Sequence, residues 1–220
     1  MTGASGIEAS LARESLLVLG TLEINEPLPI LPAGCRSLLL IGPDNPVFWP
    51  HFTASQEFRD GRAEPLDRWS KRVLTAIAAH NGAAALFPSD GPPYPPFYDW
   101  ALASGAFAAS PLNMLAHAKD GLMVSLRGAL ALHFSVAAPD WGTPPCESCA
   151  TQPCMDACPV CAFETGTYAV AACHNHLDTS AGSDCMVRGC AARRACPASE
   201  RSGRDPKQSA FHMRAFHGKR

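Results

Sequence analysis

The sequence lacks a long apolar run. Its longest stretch without a charged residue, Trp100–Ala118, is interrupted by serine, glycine, proline, asparagine and histidine, so it does not match the apolar segment of about 20 residues that spans a membrane. The first residues, MTGASGIEASLARE, lack the basic start and apolar core of a secretory signal. We therefore expect a cytoplasmic protein with no membrane partner, in which cysteines are more often metal ligands or catalysts than disulfides.

Motifs of nucleotide-dependent and hydrolytic enzymes are absent as well. The chain contains no Walker loop, no GxGxxG, no GxSxG and no HExxH. No repeat with a period of roughly 20–50 residues is found. The 47% hydrophobic content excludes a disordered chain, and 220 residues suit one compact domain with an appendage.

Charge is distributed unevenly along the chain. Residues 1–190 contain 10 Lys and Arg against 18 Asp and Glu, whereas residues 191–220 contain 8 against 2. A basic tail can attract nucleic acid or an acidic protein surface, although a solvated terminal helix is a simpler interpretation. The near-helical spacing of Phe211, Met213 and Phe216 predicts a helix that packs back on the preceding residues.

The N-terminal region combines strand and helix patterns, which predicts an α/β or α+β fold, and we expect the α+β class for the whole chain. Short apolar runs bounded by glycine and proline predict strands near residues 15–22, 36–42 and 83–87. Apolar spacing predicts an amphipathic helix over 67–81, and a second helix is expected near 99–104, after a proline-rich break. Alternation over 122–134 predicts one long strand, bent at Gly128.

An aromatic group follows the second predicted strand. Phe48, Trp49 and Phe52 could flank a planar cofactor, but we expect them to fill the core beneath a loop.

Cysteine is the most informative residue type. Nine of the ten cysteines lie between Cys146 and Cys196, in the pattern Cys146-x2-Cys149-x4-Cys154-x3-Cys158-Pro159, then Cys173, Cys185-x4-Cys190 and x5-Cys196-Pro197. Thiolates suit soft metals, and a [4Fe–4S] cube needs four of them. In two-cluster ferredoxins the cysteine before proline ligates the other cluster. This rule assigns to the first cluster the ligands Cys146, Cys149, Cys154 and Cys196. It assigns to the second cluster the ligands Cys158, Cys173, Cys185 and Cys190.

Zinc is the main alternative, because eight thiolates could also hold two structural ions. Disulfides are a further alternative. The two Cys-Pro endings favour iron–sulfur clusters over both, although the x4 and x5 spacings are longer than the ferredoxin norm.

Two cysteines lie outside these two ligand sets, and two histidines lie close to Cys173 in the sequence. Cys161 could replace a neighbouring ligand or pack against a cluster, and we expect packing; Cys35 is expected in the core. His174 and His176 flank Cys173 and could hydrogen-bond to cluster sulfur, although histidines on a surface loop are the simpler expectation.

The cysteine-rich segment, with Tyr168 preceding Cys173 and Gly189-Cys190 leading to Cys196-Pro197, resembles the two-cluster module of epoxyqueuosine reductases and their reductive dehalogenase relatives. Residues 35–40, CRSLLL, resemble an early strand of those reductases. Residues 117–128, HAKDGLMVSLRG, resemble a segment they share with the cobalamin-processing MMACHC family.

The resemblance implies a nitroreductase-like α/β domain over residues 1–140, which binds a corrinoid or a partner. It further implies a bacterial-ferredoxin-like domain with two [4Fe–4S] clusters over 141–200, followed by a basic tail over 201–220. By the same analogy, Asp90 is the candidate general acid and Arg127 a candidate cofactor-binding residue. The ordinary alternatives are turn chemistry for Asp90 and a carboxylate pair for Arg127.

These features predict an iron–sulfur redox protein that transfers single electrons, with a corrinoid such as cobalamin as acceptor. The electron donor is expected to be a protein such as a ferredoxin or flavodoxin. The alternative is a ferredoxin-like carrier or docking module without its own catalytic cofactor, which is favoured by the altered segment Gly91-Pro92-Pro93 and the short chain. The helical repeats that bind nucleic acid in many reductases have no counterpart, so no nucleic-acid partner is expected.

Overall fold

The computed structural model of the protein describes residues 3–164 and 166–218. Residues 1–2 of the predicted first domain and 219–220 of the predicted tail lie outside this description. The described residues form a mixed α+β fold with two small antiparallel sheets, one of four strands and one of two. The expected α+β class is therefore confirmed at this coarse level.

The chain divides into two compact units. The first unit comprises Met1–Ala106 and Ser125–Trp141, and the second comprises Phe107–Val124 and Gly142–Arg220. The segment 107–124 thus belongs with the cysteine-rich part of the chain.

The first unit contains the four-stranded sheet and most of the longer helices. Its elements are α1 (Ala4–Arg13), β1 (Leu16–Glu23), β2 (Ser37–Pro43), α2 (Asn45–Thr53), α3 (Gln56–Arg59), α4 (Pro65–His80), β3 (Ala84–Leu86), α5 (Phe97–Ala103) and β6 (Gly128–Leu132). The sheet order is β1-β2-β6-β3, and every residue of β2 is buried. A central strand covered on both faces explains why its sequence is apolar at successive positions rather than at alternate ones.

Helix α4 confirms the predicted amphipathic helix. It buries Leu66, Trp69, Val73, Leu74 and Ile77. It ends at His80, and the side-chain amide of Asn81, the next residue, donates to the Ile77 carbonyl at 2.8 Å; Gly82 follows with φ +63°. Glycine adopts this left-handed conformation without steric cost, which ends the helix here.

The aromatic group after β2 fills the core, as expected. Phe48 and Phe52 are fully buried in α2, and their rings lie 5.4 and 5.8 Å from that of Trp69. Edge-on packing of this kind stabilises the contact between α2 and α4.

The predicted long strand over 122–134 is wrong in its first half, because only Gly128–Leu132 form β6. The backbone of 122–124 is instead bound by distant side chains. Ser199 Oγ accepts from the Leu122 amide at 2.9 Å, and Arg193 Nε donates to the Leu122 carbonyl at 2.6 Å. Arg204 donates to the Met123 carbonyl at 2.6 Å. Since these groups are already satisfied, they are not available for a strand ladder.

The second unit consists of a hairpin and a series of short helices. Its elements are β4 (Phe107–Ala109), β5 (Leu115–His117), α6 (Pro153–Asp156), α7 (Val170–Leu177), a 3₁₀ turn (Ser180–Gly182), α8 (Ser183–Arg188), α9 (Ala191–Arg194), α10 (Pro197–Glu200) and α11 (Pro206–His217). Helices this short are marginal in isolation, so tertiary contacts must hold them.

The predicted C-terminal helix is confirmed as α11. Asp205 caps it by accepting from the Lys207 amide at 2.7 Å. Met213 is buried with Leu177 and Cys185. Helix α11 therefore closes part of the cysteine-rich core instead of extending freely into solvent. Among the described helices, none has both the length and the apolar character needed to cross a membrane.

Candidate metal centre

The first predicted ligand set lies together in the second unit. Cys146, Cys149, Cys154 and Cys196 line one cavity of about 400 Å³, which we call the first thiol cavity. Burial, followed by the neighbouring thiols, raises the pKa of Cys146 to about 11. Burial and Cys196 likewise raise the pKa of Cys154. Ligation by a metal would therefore release protons from this cavity.

Local structure explains how these thiols are held. Cys154 lies in α6, whose first residue is Pro153, and Cys196 immediately precedes Pro197, the first residue of α10. Proline is well suited to a first helical position because its ring fixes φ. Each cysteine thus lies next to the proline that begins a short helix.

The hairpin segment approaches α10 closely through Gly121. This glycine has φ +53°, and a Cβ added there would lie 2.6 Å from the Ser199 amide nitrogen. Only glycine permits this approach, which brings 107–124 against the helix that follows Cys196.

The second predicted set also lies together. Cys158, Cys173, Cys185 and Cys190 line a narrower cavity of about 30 Å³, the second thiol cavity. Most of the remaining wall is apolar or aromatic: Pro159, Val160, Phe163, Tyr168, Leu177, Ala191, Ala192 and Met213. A four-iron cube is larger than this volume, so these four thiols would have to move apart to hold one.

Hydrogen bonds are directed at the sulfur atoms of the second cavity. The Ala162 amide donates to Cys158 Sγ at 3.3 Å. Burial raises the pKa of Cys190 and of Cys173; the backbone amides of Arg193 and Ala192 oppose this rise at Cys190, and the Tyr168 hydroxyl opposes it at Cys173. Burial raises the pKa of Tyr168, and the thiol of Cys173 adds to this effect, so the phenol remains a donor.

Thiols of both cavities meet in one hydrophobic core, although Cys185 is buried in an adjoining cluster with Leu177 and Met213. Cys154, Cys158 and Cys196 are buried in the shared core, and Cys146, Cys173 and Cys190 pack against it. The two groups of thiols are therefore neighbours within the second unit.

The residues fit iron–sulfur clusters in their donor chemistry. All ten cysteines are free thiols, and eight of them divide into two groups of four. His176 Nε2 is buried at the second cavity and makes no hydrogen bond among the described residues. A sulfur-rich group would supply its missing partner. In the described part of the chain, no three His, Cys, Asp or Glu side chains are grouped so as to hold a single metal ion.

The two remaining cysteines lie elsewhere. Cys161 is exposed, contrary to the expected packing, and has φ +50°. Its hydrogen bond with Glu164 raises the pKa of its thiol. Cys35 is buried in the first unit as expected, and its thiol donates to the Ser37 carbonyl at 3.4 Å.

Asp90 and Arg127 lie near one cavity of about 210 Å³ in the first unit. Arg127 lines this cavity, as do Ser89 and Lys71. Asp90 pairs with Lys71 Nζ at 3.0 Å and accepts from the Phe87 amide at 3.0 Å.

Arg127 donates to Asp67 at 3.2 Å and to the Leu126 carbonyl at 2.9 Å. Burial lowers the pKa of this guanidinium, and Asp67 opposes that effect. Asp90 therefore makes the contacts of a turn residue, and Arg127 is paired with a carboxylate. These are the ordinary alternatives to their functional roles.

Sequence reasoning missed one charged residue of the second unit. Arg193 lies beside Cys190 and its guanidinium is held by the carbonyls of Leu122 and Val124, at 2.6 and 3.1 Å. Its position three residues after Cys190 was the only sequence feature that could have pointed to it.

The two histidines near Cys173 were expected on a surface loop. His174 and His176 instead lie on helix α7.

Comparison of the chain with protein-family models, with curated proteins and with solved structures found no match in any of the three. Inference about function therefore rests on the thiol cavities and their surroundings.

Proposed function

We propose that this chain is an iron–sulfur redox protein that holds two [4Fe–4S] clusters in its second unit and transfers single electrons. The observation that carries the proposal is the division of eight free thiols into two cavities of four. Each cysteine that precedes a proline, Cys158 or Cys196, lies with the group remote from it in sequence. This interleaving is the ligand arrangement of two-cluster ferredoxins.

The proposal includes a ferredoxin-like second unit and a nitroreductase-like first unit. An electron-donor protein such as a ferredoxin or flavodoxin would reduce the clusters. Two neighbouring clusters in one core suit a relay, because the acceptor and the donor can then bind to different faces.

For the electron acceptor, we propose a corrinoid-type cofactor, as in epoxyqueuosine reductases. The supporting observation is that Arg127, Ser89 and Lys71 line one cavity and that Asp90 contacts Lys71. Guanidinium and ammonium groups there could bind an amide or anionic substituent. In this role, Asp90 would supply a proton at the acceptor.

The alternative is a ferredoxin-like carrier without its own catalytic cofactor. It is favoured by the contacts of Asp90, whose two carboxylate oxygens are both engaged, one by Lys71 and one by the Phe87 amide. A general acid must release such contacts before it can donate a proton.

Metal analysis of anaerobically purified protein tests the iron–sulfur proposal. We expect about eight iron and about eight acid-labile sulfide per chain, four of each per cluster. Cys146→Ala is expected to halve the iron and Cys173→Ala to remove the other half, each with loss of one electron paramagnetic resonance signal. Cys35→Ala, in the first unit, is the matched control and should retain both. Zinc without iron, or protein without inorganic sulfide, contradicts the proposal.

A further inference from the structure

We infer that Tyr168, His176 and Arg193 form a donor shell that raises the reduction potential of the second cluster. This inference rests on the proposed function and goes beyond it, since it concerns which residues set the potential. It depends on two side chains that line the second thiol cavity, Tyr168 and His176, and on Arg193 of α9, which lies beside Cys190.

Tyr168 is the first member of the shell. Its side chain lines the second thiol cavity together with Cys173. The ring is stacked on Phe163 at 4.8 Å and on Phe216 of α11 at 5.9 Å, with interplanar angles of 16° and 17°. Two stacked neighbours fix the ring, so the phenol is held at the wall of the cavity, where its hydroxyl can donate to cluster sulfur.

His176 is the second member. It follows Cys173 by three residues on α7, a spacing that places both side chains on one helical face. Its Nε2 is buried, lines the second cavity and has no hydrogen-bond partner among the described residues. A buried polar atom without a partner is costly, and sulfur atoms in this cavity would satisfy it.

Arg193 is the third member and contributes charge. Its guanidinium is anchored to the carbonyls of Leu122 and Val124 and lies beside Cys190. No carboxylate of the described residues pairs with this cation. The negative charge of a thiolate-ligated cluster would compensate it.

The direction of the effect follows from charge. Reduction adds one electron to a cluster that is already negative, and a narrow apolar cavity makes this addition costly. Hydrogen bonds to sulfur and a nearby cation stabilise the reduced state more than the oxidised state. The three residues therefore keep an otherwise poorly reducible cluster within reach of its donor.

Potentiometric titration of the full chain with both clusters, followed by electron paramagnetic resonance, tests this inference. Cys146→Ala identifies the signal of the second cluster. Tyr168→Phe, His176→Leu and Arg193→Gln are each expected to lower its potential. In the Tyr168→Phe/His176→Leu double variant, we expect at least a tenfold fall in the reduced-to-oxidised ratio at fixed ambient potential, equivalent to about 59 mV for one electron. The first cluster is the internal standard and should not shift.

His174→Leu is the matched control, because His174 shares α7 but its ring packs on Phe216 and His217. His176→Gln keeps a donor and should restore part of the potential lost in His176→Leu. An unchanged second potential in loaded variants, or an equal shift of both clusters, overturns the inference while leaving the proposed function intact. A variant that loses the second cluster assigns that residue to cluster retention and likewise contradicts its tuning role. Wild-type protein without clusters instead defeats the proposed function.

Discussion

Glu57 has its carboxylate buried beneath the guanidinium of Arg72. The residue is 4% exposed, and Arg72 Nη2 donates to Oε2 at 3.1 Å while Nε donates to Oε1. These hydrogen bonds lower the pKa of Glu57 to about 2. A carboxyl with a depressed folded-state pKa stabilises the protein above its unfolded pKa, and this contribution is lost as the pH falls toward the folded value.

We expect Glu57→Gln to lower the free energy of unfolding of the first unit by about 2 kcal/mol at pH 7. The difference from wild type should remain full down to about pH 4.5 and shrink as the pH falls toward about 2, since the ordinary and shifted pKa values of Glu57 mark this window. Urea unfolding followed by tryptophan fluorescence measures it, because all four tryptophans lie in the first unit.

Glu8→Gln is the control for this prediction, because Glu8 is exposed on α1. Its effect should stay within about 0.5 kcal/mol. An equal loss in both variants, or a Glu57→Gln effect that does not diminish at low pH, would show that the buried ion pair is not the cause.

Single residues also show where sequence patterns were sufficient. The grouping of cysteines into two sets of four followed from spacing and from the Cys-Pro rule, and the structure brings the same sets together. The contacts of Asp90 with Lys71, and of Arg127 with Asp67, could not be predicted. These partners lie 19 and 60 residues away and carry no shared motif.

At the level of elements, the segments with a strong apolar periodicity formed the helices and strands that this periodicity predicted. The strands of the four-stranded sheet and helix α4 are specified by their own apolar patterns. The segment 122–127 alternates as regularly as a strand, but distant arginines and Ser199 bind the backbone of its first three residues. Alternation of apolar residues indicates which side chains are buried. It does not indicate which groups form hydrogen bonds with the backbone amides and carbonyls.

The close approach of the hairpin segment to α10 gives an element-scale prediction. Gly121→Ala places a Cβ against Ser199 at a positive φ, so we expect α10 to shift and to carry Cys196 away from the first thiol cavity. The amount of iron retained at the first thiol cavity should fall. The free energy of unfolding should also fall, by more than about 1 kcal/mol. Iron analysis and resonance signals of the reconstituted protein measure the effect.

Gly142→Ala is the matched control, because Gly142 has φ +68° in the same unit but no atom within 4 Å of an added Cβ. It isolates the cost of backbone strain from that of the clash. Normal loading of the first cluster in Gly121→Ala would refute the proposed link between this approach and Cys196.

At the scale of the whole molecule, the proposed electron acceptor is a corrinoid. The charged cavity of the first unit, at about 210 Å³, is smaller than the roughly 300–1,000 Å³ usual for drug-sized ligands, so it could enclose only part of a corrinoid. We expect Arg127 to bind one polar substituent there and the remainder of the ligand to contact other surfaces.

Titration of cluster-loaded protein with cob(II)alamin tests this acceptor. We expect stoichiometric uptake with a change in its absorption spectrum. Arg127→Gln should weaken binding by roughly tenfold, as expected for loss of a charged hydrogen bond of about 1.5 kcal/mol. Arg13→Gln serves as control, because Arg13 lies on α1 and its guanidinium donates to Ser10 Oγ at 2.9 Å. Absence of uptake by protein with intact clusters contradicts the corrinoid acceptor and leaves the electron carrier.

The sequence by itself determined how the eight thiols are grouped, because thiol number, spacing and adjacent prolines are local properties of the chain. It also determined the strongly periodic helices and strands. Only the tertiary structure decided that Tyr168 and His176 line the second thiol cavity and that Arg193 lies beside Cys190. It also decided that 107–124 belongs to the cysteine-rich unit, and that Asp90 and Arg127 already have partners. Such arrangements depend on contacts between residues far apart in sequence, where hydrogen-bonding and charged groups must be satisfied once water is excluded, and no local pattern records them.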